Sequence, residues 1–321
     1  MRAAAAIGWC GNTSSHELDH TRPQEGDLIR LRLAENFRAV FYAPFYANLA
    51  LGHFASEGLD VTLVDSAAPG GGPAGLLAGH VDVTWGGPMR VMRYRDEGLP
   101  DLLCFCEVVR RDPFYLVGRP PEGGFDLRSL SQLRLGSVSE VPTPWLCLQQ
   151  DLRDLGLDPE RLSRVTDRTM GANLAGLGRG DIDVAQVFEP FAGEALSARF
   201  AILHAQSSRG PTSYTTFTAT PQGMHRHRDA FTRMTRAMAR TQAWLSSNSA
   251  DEHARTVAPF FPSISVDRLS RSFERYMRAR VWADDTDVSR EGFSRLAASL
   301  RSGGFISSSP DYDACVVNLP F

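Results

Sequence analysis

An aromatic loop near the start of the chain could form one wall of a small-molecule site. Phe41, Tyr42, Phe45 and Tyr46 fall within six consecutive positions. A tyrosine ring can stack on a planar ligand while its hydroxyl offers one hydrogen bond. We predict that Phe41, Tyr42 and Tyr46 line a ligand site, whereas Phe45 is better explained as core packing.

A glycine run could bind an anion through backbone N–H groups. Gly70, Gly71 and Gly72 lie between a predicted strand and a predicted helix, and the first N–H groups of a helix attract negative charge. We predict that Gly70 and Gly71 contribute to the site. The alternative is a flexible turn.

Hydroxyl residues follow a later predicted strand in the same way. Ser137, Ser139, Thr143 and Trp145 lie around a second helix start, where hydroxyl and N–H groups suit an oxyanion. The alternative for the hydroxyls is helix capping. We include all four residues in the predicted site.

Three other strand ends complete the predicted site. Gly86 and Gly87 would let a ligand approach the backbone closely. Gly171 and Phe188 end or follow two later strands. Glu189 would favour a ligand amine or heterocyclic N–H, unless it pairs with an arginine and braces a hinge.

The composition excludes several reaction types. All 34 basic Lys and Arg positions are arginine, so neither a lysine Schiff base nor a P-loop lysine is possible. No Ser-His-Asp set, H-E-x-x-H or C-x-x-C motif occurs, and we expect no cofactor.

A net charge of −3 gives no basic excess for nucleic acid. Alternation would place Cys104 and Cys106 on one strand face, most simply as small core residues, with a redox or metal role as the alternative.

The elements that position these loops alternate between strand and helix. Residues 28–33 (LIRLRL) alternate apolar and arginine side chains, which is typical of a half-exposed strand. Predicted helices then alternate with short strands along the chain. This order predicts an α/β fold with mostly parallel sheets.

An internal repeat indicates two similar halves. Residues 74–83 (AGLLAGHVDV) and 175–184 (AGLGRGDIDV) match at six of ten positions. We expect Gly79 and Gly180 to end helices in the left-handed region, and Asp82 and Asp183 to point outward from short strands. Chance similarity of Ala- and Gly-rich stretches is the alternative.

The repeat predicts two lobes joined by two crossing strands, near residues 112–118 and 213–220. We assign 28–113 plus 219–321 to lobe I and 114–218 to lobe II, and expect residues 1–27 to be a disordered arm. The N-terminus shows no clear secretory signal, and no run of eighteen apolar residues occurs.

Two segments resemble a known family. Residues 41–47 (FYAPFYA) and 51–61 (LGHFASEGLDV) resemble the signature of NMT1/THI5-like substrate-binding proteins of ABC importers, a group that includes sulfonate, taurine, nitrate and pyrimidine binders. Residues 79–83, 111–117, 156–159 and 188–190 match later landmarks of the group. The resemblance covers roughly residues 30–318.

The resemblance implies a periplasmic-binding-protein type II fold, whose two lobes close on a small-molecule ligand. It also implies delivery to an ABC permease in the membrane, and a periplasmic or cell-envelope location. Because the N-terminus shows no clear signal peptide, a cytoplasmic location is the alternative.

Three functions are compatible with these features. The leading one is a non-catalytic receptor for an aromatic or heteroaromatic compound or a short organic anion, with a sulfonate or a pyrimidine as examples. The second is an enzyme on the same fold, either pyrimidine-processing or a decarboxylase or desulfinase with Cys104 or Glu189 as the reactive group. The third is a cytosolic ligand sensor.

Overall fold

The computed structural model describes residues 28–65 and 71–321. The arm predicted for residues 1–27 lies outside this part of the chain. Ten strands form two five-stranded sheets. In spatial order, the first sheet contains β2 (Leu59–Asp65), β1 (Ile29–Glu35), β3 (Val83–Gly86), β10 (Thr215–Ala219) and β4 (Leu103–Val109). The second contains β7 (Arg164–Val165), β6 (Leu135–Gly136), β8 (Val184–Val187), β5 (Tyr115–Gly118) and β9 (Ala201–Ala205).

The two sheets share one layout. β1 runs parallel to β2 and β3, and β10 runs antiparallel to both β3 and β4. In the second sheet β6 runs parallel to β7 and β8, and β5 runs antiparallel to both β8 and β9. Each sheet therefore has four strands in one direction and one reversed strand, which confirms the prediction of mostly parallel sheets.

Thirteen α-helices occur in the described residues. They are α1 (Ala43–Ala50), α2 (His53–Ser56), α3 (Gly72–Leu77), α4 (Met89–Asp96), α5 (Thr143–Asp154), α6 (Met170–Arg179), α7 (Phe191–Ser197), α8 (Pro221–Arg226), α9 (Arg228–Ser247), α10 (Ala250–Val257), α11 (Val266–Arg278), α12 (Arg290–Ser302) and α13 (Tyr312–Cys315). Helix α9 packs with α1 and the first sheet, α10 packs with α1 and α11, and α6 and α7 pack on the second sheet. We call these two parts lobe I and lobe II. Among the helices of residues 28–65 and 71–321, none has the length and hydropathy of a membrane-spanning segment.

Two segments, residues 110–114 and 206–214, connect the sheets. The division into lobes at these segments stays a proposal. Because β10 pairs with β3 and β4, we now assign its residues to lobe I and move the second boundary from residue 218 to a point before residue 215. One buried cluster spans both lobes and includes Phe41 and Phe188.

The internal repeat has a matching set of contacts in each sheet. Gly79 and Gly180 have φ of 69° and 80°, so both helices end in the left-handed region as predicted. Arg32 binds Asp82, and its Nη2 donates to the Gly79 carbonyl at 2.9 Å. Arg134 binds Asp183, and its Nη2 donates to the Gly180 carbonyl at 2.8 Å. The matching contacts support common topology over chance similarity.

The cysteine pair is buried as expected, but not on one face. Cys104 and Cys106 are free thiols with exposures of 0% and 1%, yet they belong to different core clusters. The prediction of a common face was wrong because the pairing of β4 with β10 shifts register here and Cys106 has a φ of 53°. Burial raises the pKa of the Cys104 thiol to about 12, which does not favour a reactive thiolate.

Candidate functional site

A small cavity lies where the two lobes meet. Its volume is ≈ 30 Å³, room for roughly two water molecules. Its lining comes from both lobes and from both connecting segments: Asn36, Phe37, Phe41, Tyr42, Gly87, Met89, Arg90, Phe114, Val141, Pro142, Thr143 and Tyr214. A larger groove of ≈ 680 Å³ lies on α12, but it is away from the strand ends. In open α/β sheets ligands bind outside the carboxyl ends of strands, so the interlobe cavity is the candidate site.

Phe41, Tyr42, Gly87 and Thr143 of the predicted set line this cavity. Nδ2 of Asn36 donates to the Tyr42 hydroxyl at 3.2 Å, and burial raises the pKa of Tyr42 to about 12. The tyrosine therefore stays neutral and can interact with a ligand only as a hydrogen-bonding group and an aromatic surface.

Phe188 lies behind the lining residues. Its ring centroid is 5.3 Å from that of Phe41 and 5.1 Å from that of Phe114. Gly86 ends β3 nearby, and a Cβ on Gly86 would lie 3.8 Å from the side-chain nitrogen Nδ2 of Asn36. Both predicted residues thus support the wall of the cavity rather than form its surface.

Tyr46 is directed away from the cavity. It is fully buried, its hydroxyl donates to the Glu35 carboxylate, and burial raises its pKa above the usual value. Arg38 also binds Glu35, at 2.7 Å. Phe45 stacks on Trp85 at 4.4 Å, as expected for a core residue.

The predicted residues of lobe II other than Thr143 are mostly committed elsewhere. Ser137 donates to the Val165 carbonyl at 3.3 Å and Ser139 to the Arg168 carbonyl at 2.8 Å. Trp145 packs in the lobe II core beneath the Arg164 guanidinium, 4.0 Å from its ring centroid. These contacts place the residues in the framework of the lobe.

Gly71 and Gly171 are not among the residues that line the cavity. Gly171 lies near the start of α6, where a Cβ would meet the Phe191 ring at 3.8 Å. Gly71 precedes α3. Gly70 lies outside the described residues.

Glu189 pairs with an arginine, which was the alternative raised from the sequence. Its carboxylate accepts hydrogen bonds from Arg275 Nε at 2.5 Å and from Ser272 Oγ at 3.0 Å. It is not among the cavity-lining residues, and we no longer propose it as a ligand contact. Neither Glu189 nor Cys104 is therefore placed as a reactive group.

Arg90 is the cavity residue that the sequence analysis missed. Among the described residues no carboxylate pairs with its guanidinium, and it is the only charged side chain in the lining. Burial lowers the pKa of Arg90, but an arginine remains protonated. Its position directly after Trp85-Gly86-Gly87-Pro88-Met89 was the available signal, because that loop had been assigned to the site.

Two helix starts add to this positive charge. α4 begins at Met89 and α5 at Thr143, one in each lobe, and the N-terminal end of a helix carries partial positive charge. The Thr143 hydroxyl lies 2.6 Å from the Met89 sulfur, so the two helix starts meet. The arrangement suits the anionic group of a small ligand. No group of three His, Cys, Asp or Glu side chains that could hold a metal ion occurs in residues 28–65 and 71–321.

The family described as NMT1/THI5 like matches residues 40–250, and the chain belongs to this family. A curated relative from Bacillus subtilis (strain 168), named "Putative binding protein YtlA", is 24% identical over 299 residues, covering 91% of this chain and 89% of the relative.

Solved structures of binding proteins share the fold. The periplasmic aliphatic sulphonate binding protein SsuA of Escherichia coli superposes with a TM-score of 0.68 at 14% identity, covering 89% of this chain and 96% of that one. The nitrate-binding protein NrtA of Synechocystis PCC 6803 gives a TM-score of 0.65 at 13% identity, covering 90% and 86%. The predicted periplasmic-binding-protein fold is thus confirmed. These relatives are binding proteins and not enzymes, in agreement with the leading expectation.

Proposed function

We propose that this protein is the solute-binding component of an ABC import system and that it captures a small organic anion between its lobes. The observation that carries the proposal is the Arg90 guanidinium, which lines the interlobe cavity without a carboxylate partner among the described residues. A half-buried guanidinium favours a counter-charge, and a ligand carboxylate or sulfonate would supply it. The sulphonate-binding and nitrate-binding proteins of the same fold support an anionic ligand.

The aromatic lining limits the rest of the ligand. Phe37, Phe41, Tyr42, Phe114 and Tyr214 surround the cavity, and such rings favour an apolar or planar body. At ≈ 30 Å³ the cavity is too small for a ring. A ligand with a ring must therefore hold the lobes further apart than they are here, whereas a short sulfonate needs less separation.

A thermal-shift screen tests this function. The panel contains nitrate, methanesulfonate, benzenesulfonate, benzoate and an uncharged pyrimidine, each at millimolar concentration. A ligand that binds only the folded state adds roughly 2.7 kcal/mol at one hundred times its Kd. We expect at least one anion, and not the uncharged pyrimidine, to raise Tm.

Arg90→Met is the decisive variant, and Arg93→Met is its matched control. Arg93 lies one turn further along α4 and pairs with Glu97 on the surface at 2.7 Å. Arg90→Met should weaken anion binding by at least tenfold, while Arg93→Met should bind normally. Stabilisation by the uncharged pyrimidine alone, or full binding by Arg90→Met, would contradict the proposed ligand class.

Location and permease partner follow from the same proposal. The structural relatives include periplasmic proteins, and a solute receptor must meet its permease at the membrane. We therefore propose a periplasmic or cell-envelope location. Sequencing the mature N-terminus from the native cell tests it, and recovery of the unprocessed chain from the cytoplasm would favour a ligand sensor.

A further inference from the structure

A buried carboxylate at the end of β8 joins lobe II to lobe I. Glu189 is inaccessible to solvent, and its two oxygens accept hydrogen bonds from Arg275 Nε at 2.5 Å and Arg275 Nη2 at 3.0 Å. Ser272 Oγ adds a third bond at 3.0 Å. The Glu189 amide donates to the Tyr276 hydroxyl at 3.0 Å. One residue of lobe II thus makes four hydrogen bonds to one side of α11 in lobe I.

Helix α7 packs closely enough on α11 to take part in this contact. The Gly193 amide of α7 donates to Glu189 Oε2 at 3.2 Å. A Cβ on Gly193 would lie 2.8 Å from Arg275 Nη2, so a larger residue would displace the guanidinium. The absence of a side chain at this position allows α7 and α11 to approach closely.

The contact is coupled to the cleft through the neighbouring residue. Phe188 packs against Phe41, which lines the cavity, while Glu189 binds α11. Because the two residues are consecutive, a movement that separates Phe188 from the wall of lobe I also pulls on Glu189.

The distance from the connecting segments indicates that lobe opening must break this contact. The Val281 carbonyl, just after α11, accepts a hydrogen bond from the Arg110 amide at 2.9 Å in the first connecting segment. Ser272 and Arg275 lie six to nine positions earlier, ~9–14 Å away at the rise of an α-helix. A domain rotation of about 15° about the connecting segments would move the Glu189 carboxylate by ~3 Å. Hydrogen bonds do not survive such a displacement.

We propose that the Glu189–Arg275 contact is a closure latch, which holds the lobes together before any ligand binds. Without ligand, the strength of this contact then determines which fraction of the protein is closed. A ligand can enter only the open form, which is the minor one. The proposal rests on the proposed function in that it concerns the opening and closing of the two lobes, but it does not depend on which ligand binds.

Distances between spin labels on the two lobes test the latch without a ligand. Arg30→Cys in β1 and Arg128→Cys in lobe II provide exposed sites. The described native cysteines are buried, and Cys10 is replaced by serine in the full-length chain. We expect one short interlobe distance for the parent and, for Glu189→Gln, at least a tenfold larger open fraction. Glutamine keeps the shape of the side chain but leaves Arg275 without a counter-charge.

The matched control uses an exposed ion pair between α7 and α11. Arg268 of α11 binds Glu194 of α7 at 2.6 Å, but both side chains are 44% exposed, so Glu194→Gln should change the open fraction by less than threefold. If Glu189→Gln does not fold, Ser272→Ala replaces it, with a smaller shift in the same direction. An open parent, or unchanged distances in the folded variant, would overturn the latch. Neither result bears on the Arg90 binding test.

Discussion

Arg209 and Asp112 join the two segments that connect the lobes. Nη1 of Arg209 donates to Oδ2 of Asp112 at 2.5 Å, and the two side chains are 6% and 0% exposed. Asp151 of α5 accepts further hydrogen bonds from the same guanidinium. Burial raises the pKa of Asp112, and the charge of Arg209 opposes that rise. The pair therefore fixes the two connecting segments to each other and to lobe II.

Arg209→Met should lower the free energy of unfolding by about 3–5 kcal/mol, because it leaves buried carboxylates without their counter-charge. Urea unfolding followed by circular dichroism measures the change. Arg271→Met is the control: Arg271 and Asp267 form an exposed pair with side chains 65% and 69% accessible, and its loss should cost less than about 1 kcal/mol. Equal losses in the two variants would show that the Arg209 pair is not a stabilising contact.

Much of this architecture follows from residue spacing, because the signals for it are local. The alternation of Leu31 and Leu33 with arginines identified β1, and both leucines are buried. The glycines of the repeat identified two helix ends, and the neighbouring aspartates proved to make equivalent arginine contacts.

The site was harder to predict because its residues meet only through tertiary packing. Glu189 was assigned to the cleft since it follows a strand, yet Arg275, its partner, lies 86 positions away. Ser137 and Ser139 resembled an oxyanion site, but backbone carbonyls accept their hydrogen bonds. Arg90 was missed because the sequence does not show which of its 34 arginines lines a cavity between the lobes.

The repeated arginine–aspartate contacts should contribute equally and independently. Asp82→Asn and Asp183→Asn each replace a carboxylate that binds an arginine and its backbone amide. Hydrogen bonds from Arg134 lower the pKa of Asp183. We expect each variant to lose roughly 1 kcal/mol of unfolding free energy and the double variant to lose the sum, since distant sites add. If the loss of unfolding free energy in the double variant differs from the sum of the two single losses by more than about 0.5 kcal/mol, the two contacts are not independent.

His253 should make the protein less stable in acid. The imidazole is buried beside Trp244, Phe273 and Trp282, and burial lowers its pKa to about 4, while the Leu245 carbonyl and Glu252 oppose the shift. The folded state therefore binds fewer protons than the unfolded state once the pH falls below the usual histidine pKa of about 6.5. Stability is complete above that pH and is lost as the pH falls toward 4.

We expect His253 to account for about 2 kcal/mol of the stability lost between about pH 7.5 and pH 4.5. His253→Phe should remove that part of the pH dependence, because phenylalanine suits the aromatic surroundings and cannot titrate. Urea unfolding of both proteins at several pH values measures the slope, with His80→Gln at an exposed position as control. A parallel pH profile for His253→Phe would exclude a titrating His253.

Two glycines of lobe II should respond in opposite ways to alanine. A Cβ at Gly118 in β5 would lie 2.5 Å from the Asp183 backbone carbonyl oxygen, which the neighbouring strand holds in place, so Gly118→Ala should cost about 1–3 kcal/mol. Gly178 lies within α6, where a Cβ would meet no atom within 4 Å, and Gly178→Ala should add roughly 0.5–1 kcal/mol. Urea unfolding compares the two under identical conditions. A neutral Gly118→Ala would mean that β5 and β8 can separate at this point without loss of stability.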